Sequence, residues 1–340
     1  MSRFSDSGAL GGAPRLRSAG IRAPIAYLVL SHTEPALVAR LADRLLRGDE
    51  RCHVVVDHDR AGPPLDGLPA DPRLHRRLSA RSGGWGGFGL VQAVLGAFGA
   101  VRRELDPDWV VLLSGQDYPA QPLAAVREHL AASGADAHMT VLREVTDGDG
   151  EQDRFWHARY FNRWMRLPRA PAMLPEPLRA KRRNLQHRVS MGQRHVFLWS
   201  LPRGSGTLVG VRRRRTPFGP GYPCWAAYQW LALSRHALGV LERELSARPE
   251  LVALYRRSVI PDESLLQTLL LNAPDVRVAQ PNLTFQRPAG LGDAHAADLE
   301  LADLEAIVAS GRPFARKMHA GRSLELMAAL DARLGLSPAG

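Results

Sequence analysis

The stretch Ile25-Ala26-Tyr27-Leu28-Val29-Leu30-Ser31 decides the fold, because a continuous apolar run that ends in a polar residue is typical of a strand buried on both faces. Residues from Glu34 to Leu46 follow it with apolar side chains at helical spacing, and Cys52-His53-Val54-Val55-Val56-Asp57 is a second run of the strand kind. A strand, a helix and a strand in this order form a β-α-β unit, which requires a parallel sheet. We therefore expect an α/β fold with a mostly parallel central sheet flanked by helices.

A third buried strand is predicted at Trp109-Val110-Val111-Leu112-Leu113-Ser114, and it runs into the turn Gly115-Gln116-Asp117-Tyr118-Pro119. Residues 60–84, which precede a predicted helix, are rich in Gly, Pro and Arg and predict a loop. Ligands bind outside the carboxyl ends of parallel strands. We therefore expect Ser31, Asp57 and the start of the turn after Ser114 to border a binding site.

The composition indicates a globular chain. It has 340 residues, of which 45% are hydrophobic, and no run of about 20 apolar residues that would predict a transmembrane helix. Residues 1–23 are rich in Gly, Ser, Ala and Arg and lack the apolar core of a secretory signal. We interpret them as a disordered leader and expect residues 24–335 to form a single domain.

Cys52 and Cys224 are the only cysteines. Apolar or aromatic residues flank both, which favours two buried free thiols. Two cysteines exclude a disulfide framework and a four-cysteine zinc site. This cysteine usage fits a reducing, cytoplasmic setting.

Basic residues outnumber acidic residues by 45 to 34, which gives a formal net charge of +11. The excess concentrates between Arg159 and Arg194 and in the run Arg212-Arg213-Arg214-Arg215. Such a surface attracts phosphorylated donors, anionic acceptors or an anionic membrane surface, where the protein would bind peripherally; an ordinary solvated face has the same composition. We do not expect nucleic acid as a partner, because the chain has no zinc-finger spacing and no RNP-like motif.

The segment Pro261-Asp262-Glu263-Ser264 places two adjacent acids at the mouth of an apolar run with helical spacing. Proline suits the first turn of a helix, and carboxylates there interact favourably with the helix dipole. A carboxylate held at a helix start beside a pocket is a candidate general base. The same residues also fit a plain N-terminal cap, so both interpretations stay open.

Six segments occur in a characteristic order along the chain. They are Tyr27-Leu28-Val29-Leu30-Ser31-His32, Val55-Val56-Asp57, Leu112-Leu113-Ser114-Gly115-Gln116-Asp117-Tyr118-Pro119, Gln229-Trp230-Leu231-Ala232-Leu233-Ser234-Arg235, Pro261-Asp262-Glu263-Ser264 and Phe314-Ala315-Arg316-Lys317. This set resembles the core-2/I-branching β-1,6-N-acetylglucosaminyltransferase family, which includes the peptide O-xylosyltransferases, in a bacterial-type form over roughly residues 25–320. The resemblance implies a GT-A-type nucleotide-sugar transferase fold and inverting transfer of a sugar from a UDP-sugar to a hydroxyl.

The resemblance also implies roles for individual residues. Glu263 matches the family's general base, and its neighbour Asp262 is the fallback. The family works without a metal or other cofactor, and Arg316 and Lys317 match the basic motif that contacts the diphosphate instead. Arg287 is a weaker candidate for a second contact of this kind, because its surroundings depart from the family's pattern.

Donor-binding residues are expected after the third strand. Ser114, Gln116 and Asp117 occupy the place where most enzymes of this fold hold a metal with an Asp-x-Asp motif, and only one of the three is a carboxylate. We therefore expect no metal there.

A literal Asp-x-Asp, Asp57-His58-Asp59, follows the second strand instead, where the uridine end of the donor lies in this fold. Three interpretations of Asp57 stay open. It positions the nucleoside, with Val55 and its neighbours against the uracil; it binds a metal; or it caps a loop.

Aromatic residues near the fourth segment are candidates for acceptor binding. Trp225 and Tyr228 are the better ones, since sugar faces pack well on aromatic rings. Trp230 fits the core of a strand, and His32 fits a structural role.

The resemblance divides the domain into a donor half at about 24–135, a basic insert and acceptor half at about 136–260, and a base and diphosphate-binding part at about 261–335. The expected donor sugar is GlcNAc or xylose, and the expected acceptor is a glycan, a glycolipid or a small hydroxylated molecule. Two other classes stay open. One is a catalytically inactive GT-A-fold protein that binds anionic partners, and the other is a metal-dependent nucleotidyltransferase, which needs two carboxylates at one site.

Overall fold

The computed structural model describes residues 24–80, 86–148, 150–166, 196–200, 207–287 and 296–336. The predicted leader at 1–23 lies outside the described residues, as does most of the basic stretch before Arg194.

The described chain alternates strands and helices over most of its length. The strands are β1 (Ile25–Ser31), β2 (Cys52–Asp59), β3 (Leu74–Ser79), β4 (Trp109–Ser114), β5 (Tyr118–Pro119), β6 (Ala137–Glu144), β7 (Asn162–Arg166), β8 (Val196–Ser200), β9 (Thr207–Arg212), β10 (Trp225–Ser234), β11 (Val278–Ala279), β12 (Thr284–Gln286) and β13 (Phe314–Arg316). The α-helices are α1 (Pro35–Gly48), α2 (Gly89–Glu104), α3 (Leu123–Ala132), α4 (Glu151–Phe161), α5 (Arg235–Ala247), α6 (Pro249–Tyr255), α7 (Leu265–Leu271), α8 (Leu304–Ala309) and α9 (Leu324–Arg333).

A central sheet of seven strands organises the described residues, in the order β11-β6-β10-β4-β1-β2-β3. The strands β4, β1, β2 and β3 are mutually parallel, whereas β10 runs antiparallel to both β4 and β6. The predicted α/β fold with a mainly parallel central sheet flanked by helices is confirmed. The arrangement is compatible with a GT-A-type nucleotide-sugar transferase fold.

Burial on both faces explains why the central strands are continuous apolar runs. Alternate residues of β1 point to opposite layers: Leu28 packs in the layer that contains Phe98 of α2, and Val29 packs in the layer that contains Leu41 of α1. Burying each such side chain contributes about 1.5–3 kcal/mol to folding. The two layers fix the sheet and therefore the position of the edge where its strands end.

The prediction that residues 60–84 form only a loop was wrong, because β3 forms the edge of the sheet at Leu74–Ser79. Its sequence, Leu-His-Arg-Arg-Leu-Ser, has none of the apolar continuity of β1. An edge strand is covered on fewer sides, and charged side chains there also prevent pairing with other chains.

The predicted helix at Pro261 forms in two pieces. A 3-10 turn at Pro261–Glu263 is followed by α7, and Ser264 lies between them. Cys52 and Cys224 are buried free thiols, as predicted. Among the described helices, none has the length and hydropathy needed to cross a membrane.

A buried ionic cluster fastens the last helix to the rest of the fold. Both Asp331 oxygens accept hydrogen bonds: Oδ1 from Arg44 Nε at 2.9 Å and the Tyr118 hydroxyl at 2.6 Å, and Oδ2 from Arg40 Nη2 at 2.8 Å and Arg44 Nη2 at 2.9 Å. Burial alone would raise the pKa of Asp331, but these hydrogen bonds lower it. Because Tyr118 follows Asp117 directly, the cluster also fixes the turn after β4.

Candidate active site

The turn after β4 is held closed by its own residues. Asp117 is 1% exposed, and its Oδ2 accepts a hydrogen bond from the Ser114 backbone N–H at 2.8 Å. Ser114 Oγ accepts the Gln116 N–H at 3.1 Å. A side chain at Gly115 would come within 2.7 Å of Val38 Cγ2, so only glycine fits there. The turn therefore presents a fixed backbone at the carboxyl edge of the sheet.

Arg316 reaches this turn from β13, which pairs with β5 through Ala315 and Tyr118. Its Nη1 lies 3.4 Å from Asp117 Oδ1, a contact too long for a good hydrogen bond, and neither atom has a hydrogen-bond partner. The Arg316 guanidinium also lies 3.9 Å from the centroid of the Trp230 ring. Burial raises the pKa of Asp117, and the positive charge of Arg316 opposes that shift.

Lys317 lies between two backbone contacts to other segments. Its carbonyl accepts the Leu299 N–H at 2.9 Å, and the next residue, Met318, donates its N–H to the Gln116 carbonyl at 2.8 Å. The Lys317 side chain is half-buried. We call the Ser114–Asp117 turn, Arg316 and Lys317 together the cation end of the site.

The polar residues at the end of β2 make contacts with β3 and with the loop that follows β2. Asp57 is fully buried, and it accepts hydrogen bonds from Ser79 Oγ and from Arg77 Nε, the latter at 3.3 Å, both on β3. Asp59 accepts the Ala61 N–H at 3.1 Å. Asp57 therefore joins the ends of β2 and β3.

The neighbours of Asp57 have structural contacts. His58 Nε2 is 2.8 Å from the Pro63 carbonyl, which can only accept, so Nδ1 is the atom that accepts the Ser31 hydroxyl at 2.8 Å. Val55 is 2% exposed in the core. Within the described residues, no group of three or more His, Cys, Asp or Glu could hold a metal ion.

Arg287 lies next to the cation end, because the residue before it pairs with Arg316. Arg287 is paired with Asp303 at 2.9 Å and donates to the Asp298 carbonyl at 2.9 Å. His32 is exposed after β1.

The turn that carries the two adjacent acids begins at a strained residue. Ile260 has a φ of +53°, which is rare for a β-branched residue. Its N–H donates to the Gly86 carbonyl at 2.8 Å, and its carbonyl accepts the Tyr160 hydroxyl at 3.2 Å. Strained backbone of this kind clusters at functional sites.

Glu263 is paired with an arginine from α4. Arg159 Nη1 lies 2.8 Å from Glu263 Oε2, and the side chains are 9% and 30% exposed, respectively. The two residues are 104 positions apart. Sequence reasoning noticed Arg159 only as one member of a basic run, and no local motif could have paired it with Glu263.

Asp262 differs from Glu263 in its environment. Burial, together with the negative charge of Glu263, raises the pKa of Asp262 to about 7, and the positive charge of Arg159 opposes this rise. Active sites that use acid–base catalysis often contain two neighbouring carboxyl groups in different environments. We call the Pro261–Glu263 turn and Arg159 together the acid end of the site.

A network of buried hydroxyl groups holds Ser264, the residue that follows the acid turn. Ser264 Oγ donates to the Trp225 carbonyl at 2.6 Å and lies 2.6 Å from the Tyr255 hydroxyl, so the tyrosine is the donor in that pair. Thr268 Oγ1 accepts the Trp225 N–H at 3.0 Å. Burial raises the pKa of the neighbouring Cys224 thiol to about 12, so this network has a structural role.

A bulge in β10 links the two ends of the site. Ala227 pairs with Val141 and Leu231 pairs with Met139, so the three residues 228–230 face a single residue of β6. Bulges often lie next to active sites, where they redirect side chains.

The bulge has contacts with both the acid end and the cation end. Gln267 Nε2 donates to the Tyr228 carbonyl at 3.0 Å and to the Asp262 carbonyl at 3.2 Å, which ties the bulge to the acid end. Trp230 lies against Arg316 at the cation end. Trp230 is half-buried and packs against the core, as predicted, and it also contacts a charged side chain.

Three buried polar atoms around the bulge have no hydrogen-bond partner. They are Trp225 Nε1, Gln229 Nε2 and Gln267 Oε1. Buried polar atoms are rarely left unpaired, although each of these three atoms is almost fully enclosed by protein. Trp225 and Tyr228, the predicted acceptor residues, are half-buried on the same strand.

Comparisons with known proteins give little further information. No family model and no curated protein matches the chain. Among solved structures, the chain is similar to a putative glucose-1-phosphate thymidylyltransferase from Bacillus anthracis in complex with a sucrose, over 93% of this chain and 97% of that one, with 8% sequence identity and a TM-score of 0.30. These values support no conclusion about activity.

Proposed function

We propose that the protein is a nucleotide-sugar enzyme, and more specifically an inverting, metal-independent glycosyltransferase that uses a UDP-sugar. The observation that carries the proposal is the β10 bulge, which connects a turn with two acids to a buried arginine at the carboxyl edge of the sheet. Inverting transfer requires these two kinds of group, a base for the acceptor and positive charge for the leaving group. The ordered motifs that resemble the core-2/I-branching family support the same function.

In the proposed reaction, Glu263 takes the proton of an acceptor hydroxyl. The hydroxyl oxygen forms a bond to the anomeric carbon from the face opposite UDP, and the bond to the diphosphate oxygen breaks. Its electron pair leaves with UDP, and the anomeric configuration inverts. Arg316 and Lys317 stabilise the negative charge that develops on the diphosphate.

The metal-independent part of the proposal rests on the chemistry of the turn after β4. Asp117 is its only carboxylate, and that carboxylate is occupied by the Ser114 N–H and faces Arg316. A two-carboxylate metal site would need a second acid there. Ser114 and Gln116 lie in the same turn and are proposed to bind the donor. Asp57 and Val55 are retained as candidate contacts of the nucleoside.

The acceptor side is proposed from the bulge. Trp225 and Tyr228, which are half-buried on the bulged strand, would contact the acceptor. The acceptor is a glycan, a glycolipid or a small hydroxylated molecule, and the donor sugar is GlcNAc or xylose. An anionic membrane surface is a further partner that the exposed Arg214 and Arg215 of the basic run would suit. We propose that residues 24–335 act as one domain.

A donor panel tests this function directly. The full chain is incubated with UDP-GlcNAc, UDP-xylose and other UDP-sugars, each with a mixture of hydroxylated acceptors, in the presence and absence of EDTA. We expect UDP release from one donor, an unchanged rate in EDTA, and a product of inverted anomeric configuration by NMR.

Each alternative predicts a different result. Loss of UDP release in EDTA, restored by manganese, contradicts the metal-independent mechanism. Pyrophosphate release from UTP and a sugar phosphate identifies a nucleotidyltransferase. A protein that binds no UDP in calorimetry is not an enzyme of the proposed kind.

A further inference from the structure

Arg159 is itself held in place by its own helix. Its guanidinium carbon lies 4.1 Å from the centroid of the Trp156 ring and 4.4 Å from that of the Phe155 ring. These aromatic residues lie three and four positions before it, which is the spacing that puts side chains on one helix face. Cation–π contacts of this kind attract the guanidinium to the ring faces. These contacts restrict the Arg159 side chain independently of its bond to Glu263.

The same end of α4 also holds the backbone that leads into the acid turn. The Val259 N–H donates to the Arg159 carbonyl at 3.2 Å, and the Tyr160 hydroxyl donates to the Ile260 carbonyl at 3.2 Å. Arg159 and its neighbour thus contact both the backbone before the turn and the carboxylate within it. The relative position of α4 and Glu263 is fixed at several points.

We infer that Arg159 is the positioning residue of the general base, an inference that rests on the proposed function. Its bond to Glu263 Oε2 fixes the carboxylate rotamer and leaves Oε1 to take the acceptor proton. Orientation of this kind matters for rate, because a displacement of about 1 Å at a reacting group can cost about 100-fold.

The chain offers a matched control at a distant position. Arg248 lies 4.3 Å from the centroid of the Tyr222 ring and donates to Glu244 at 3.2 Å, so it has the same kinds of partner. Substituting Arg248 removes a stacked, paired arginine without touching the acid turn. Any effect that Arg159 variants share with Arg248 variants is a general effect of losing such a pair.

The test measures kcat, acceptor KM, UDP affinity and the pH–rate profile for Arg159→Gln, Arg159→Lys and the corresponding Arg248 variants in the full chain. We expect Arg159→Gln to lose about 100-fold in kcat, while its UDP affinity stays that of the wild type. We expect its pH–rate profile to differ from that of Arg248→Gln, because only Arg159 contacts the carboxylate assigned as the base. Arg159→Lys recovers part of the rate, since the charge remains but the planar fork is lost.

Equal kcat values and equal pH–rate profiles for Arg159→Gln and Arg248→Gln overturn the inference. If Arg159→Gln fails to fold, Arg159→Lys decides, and a wild-type kcat in that variant overturns the inference as well. Glu263→Gln separates this outcome from a failure of the proposed function. If Glu263→Gln is inactive while the Arg159 variants match their controls, the base assignment stands and only the positioning role fails.

Discussion

The acid end and the cation end of the candidate site are built around arginines with similar surroundings. Arg159 stacks on Trp156 at 4.1 Å, and Arg316 stacks on Trp230 at 3.9 Å. Each arginine also faces a carboxylate. The two ends nevertheless differ in which of the paired groups is available for chemistry.

The difference lies in the carboxylates. Glu263 is 30% exposed and makes a 2.8 Å bond to its arginine, whereas Asp117 is buried and its 3.4 Å contact leaves both atoms without a hydrogen bond. At the acid end, the carboxylate is accessible and accepts a hydrogen bond from Nη1 of its arginine. At the cation end, the carboxylate is enclosed and the arginine retains an unused donor. The proposed function therefore assigns a base to one pair and a phosphate-binding cation to the other.

The largest expected effect comes from removing the accessible carboxylate. We expect Glu263→Gln to lower kcat by about 10²–10⁴-fold with UDP affinity unchanged, because loss of a positioned base has effects of this size. Glu244→Gln, which alters another arginine-paired glutamate, is the control and should keep wild-type kcat. Near-wild-type turnover in Glu263→Gln would mean that the accessible carboxylate is not the base.

The enclosed carboxylate should matter for stability instead. We expect Asp117→Ala to lower the free energy of unfolding by about 3 kcal/mol, since it leaves Arg316 buried without its partner and the Ser114 N–H without an acceptor. Asp275→Ala removes one member of an exposed pair with Arg243 and should lower the free energy of unfolding by much less. Chemical denaturation measures the free energy of unfolding of both variants. Equal decreases in the two would contradict the expected difference between buried and exposed pairs.

The second acid of the turn should make stability depend on pH. Burial and the charge of Glu263 raise the pKa of Asp262 from 3.8 to about 7. Between those values the folded state binds more protons than the unfolded state, so stability falls as the pH rises through this window.

Asp262→Asn should remove that decline, with a gain over wild type on the order of 1–3 kcal/mol above neutral pH and no gain at acid pH. Unfolding free energies measured across the window test it, with Asp106→Asn at the surface as the control. Parallel curves for Asp262→Asn and wild type would contradict the raised pKa.

The smallest expected effect concerns the other cation. We expect Lys317→Ala to weaken UDP binding by about tenfold, because a charge-assisted contact to phosphate contributes roughly 1.5–3 kcal/mol. Uridine binding should change less, since uridine has no phosphates. Arg322→Ala, which removes an exposed cation nearby, is the calorimetric control. Unchanged UDP affinity in Lys317→Ala would leave Arg316 as the sole cation for the diphosphate in this proposal.

The sequence indicated those parts of the fold that depend on local pattern. The buried runs of β1, β2 and β4 are apolar over their length because both of their faces are covered, so their pattern could be recognised without a structure. The edge strand β3 was missed, because its exposed face carries arginines that also suit a loop.

The candidate site could be predicted only in part, because its contacts join distant segments. Glu263 and Arg316 were found through their motifs. The Arg159–Glu263 bond spans 104 residues, and the β10 bulge is a property of strand register that no residue in Tyr228–Trp230 indicates by its type. The burial of Asp117 against Arg316 likewise depends on the pairing of β5 with β13.

The bulge has a consequence for how such a protein can diversify. The contact that joins it to the acid end uses the main-chain carbonyl of Tyr228, not its ring. The spacing between the acid end and the cation end is therefore set by backbone geometry, which a substitution at position 228 preserves. Under the proposed function, mutational libraries at this position would change the accepted molecule while the distance over which the sugar moves stays constant.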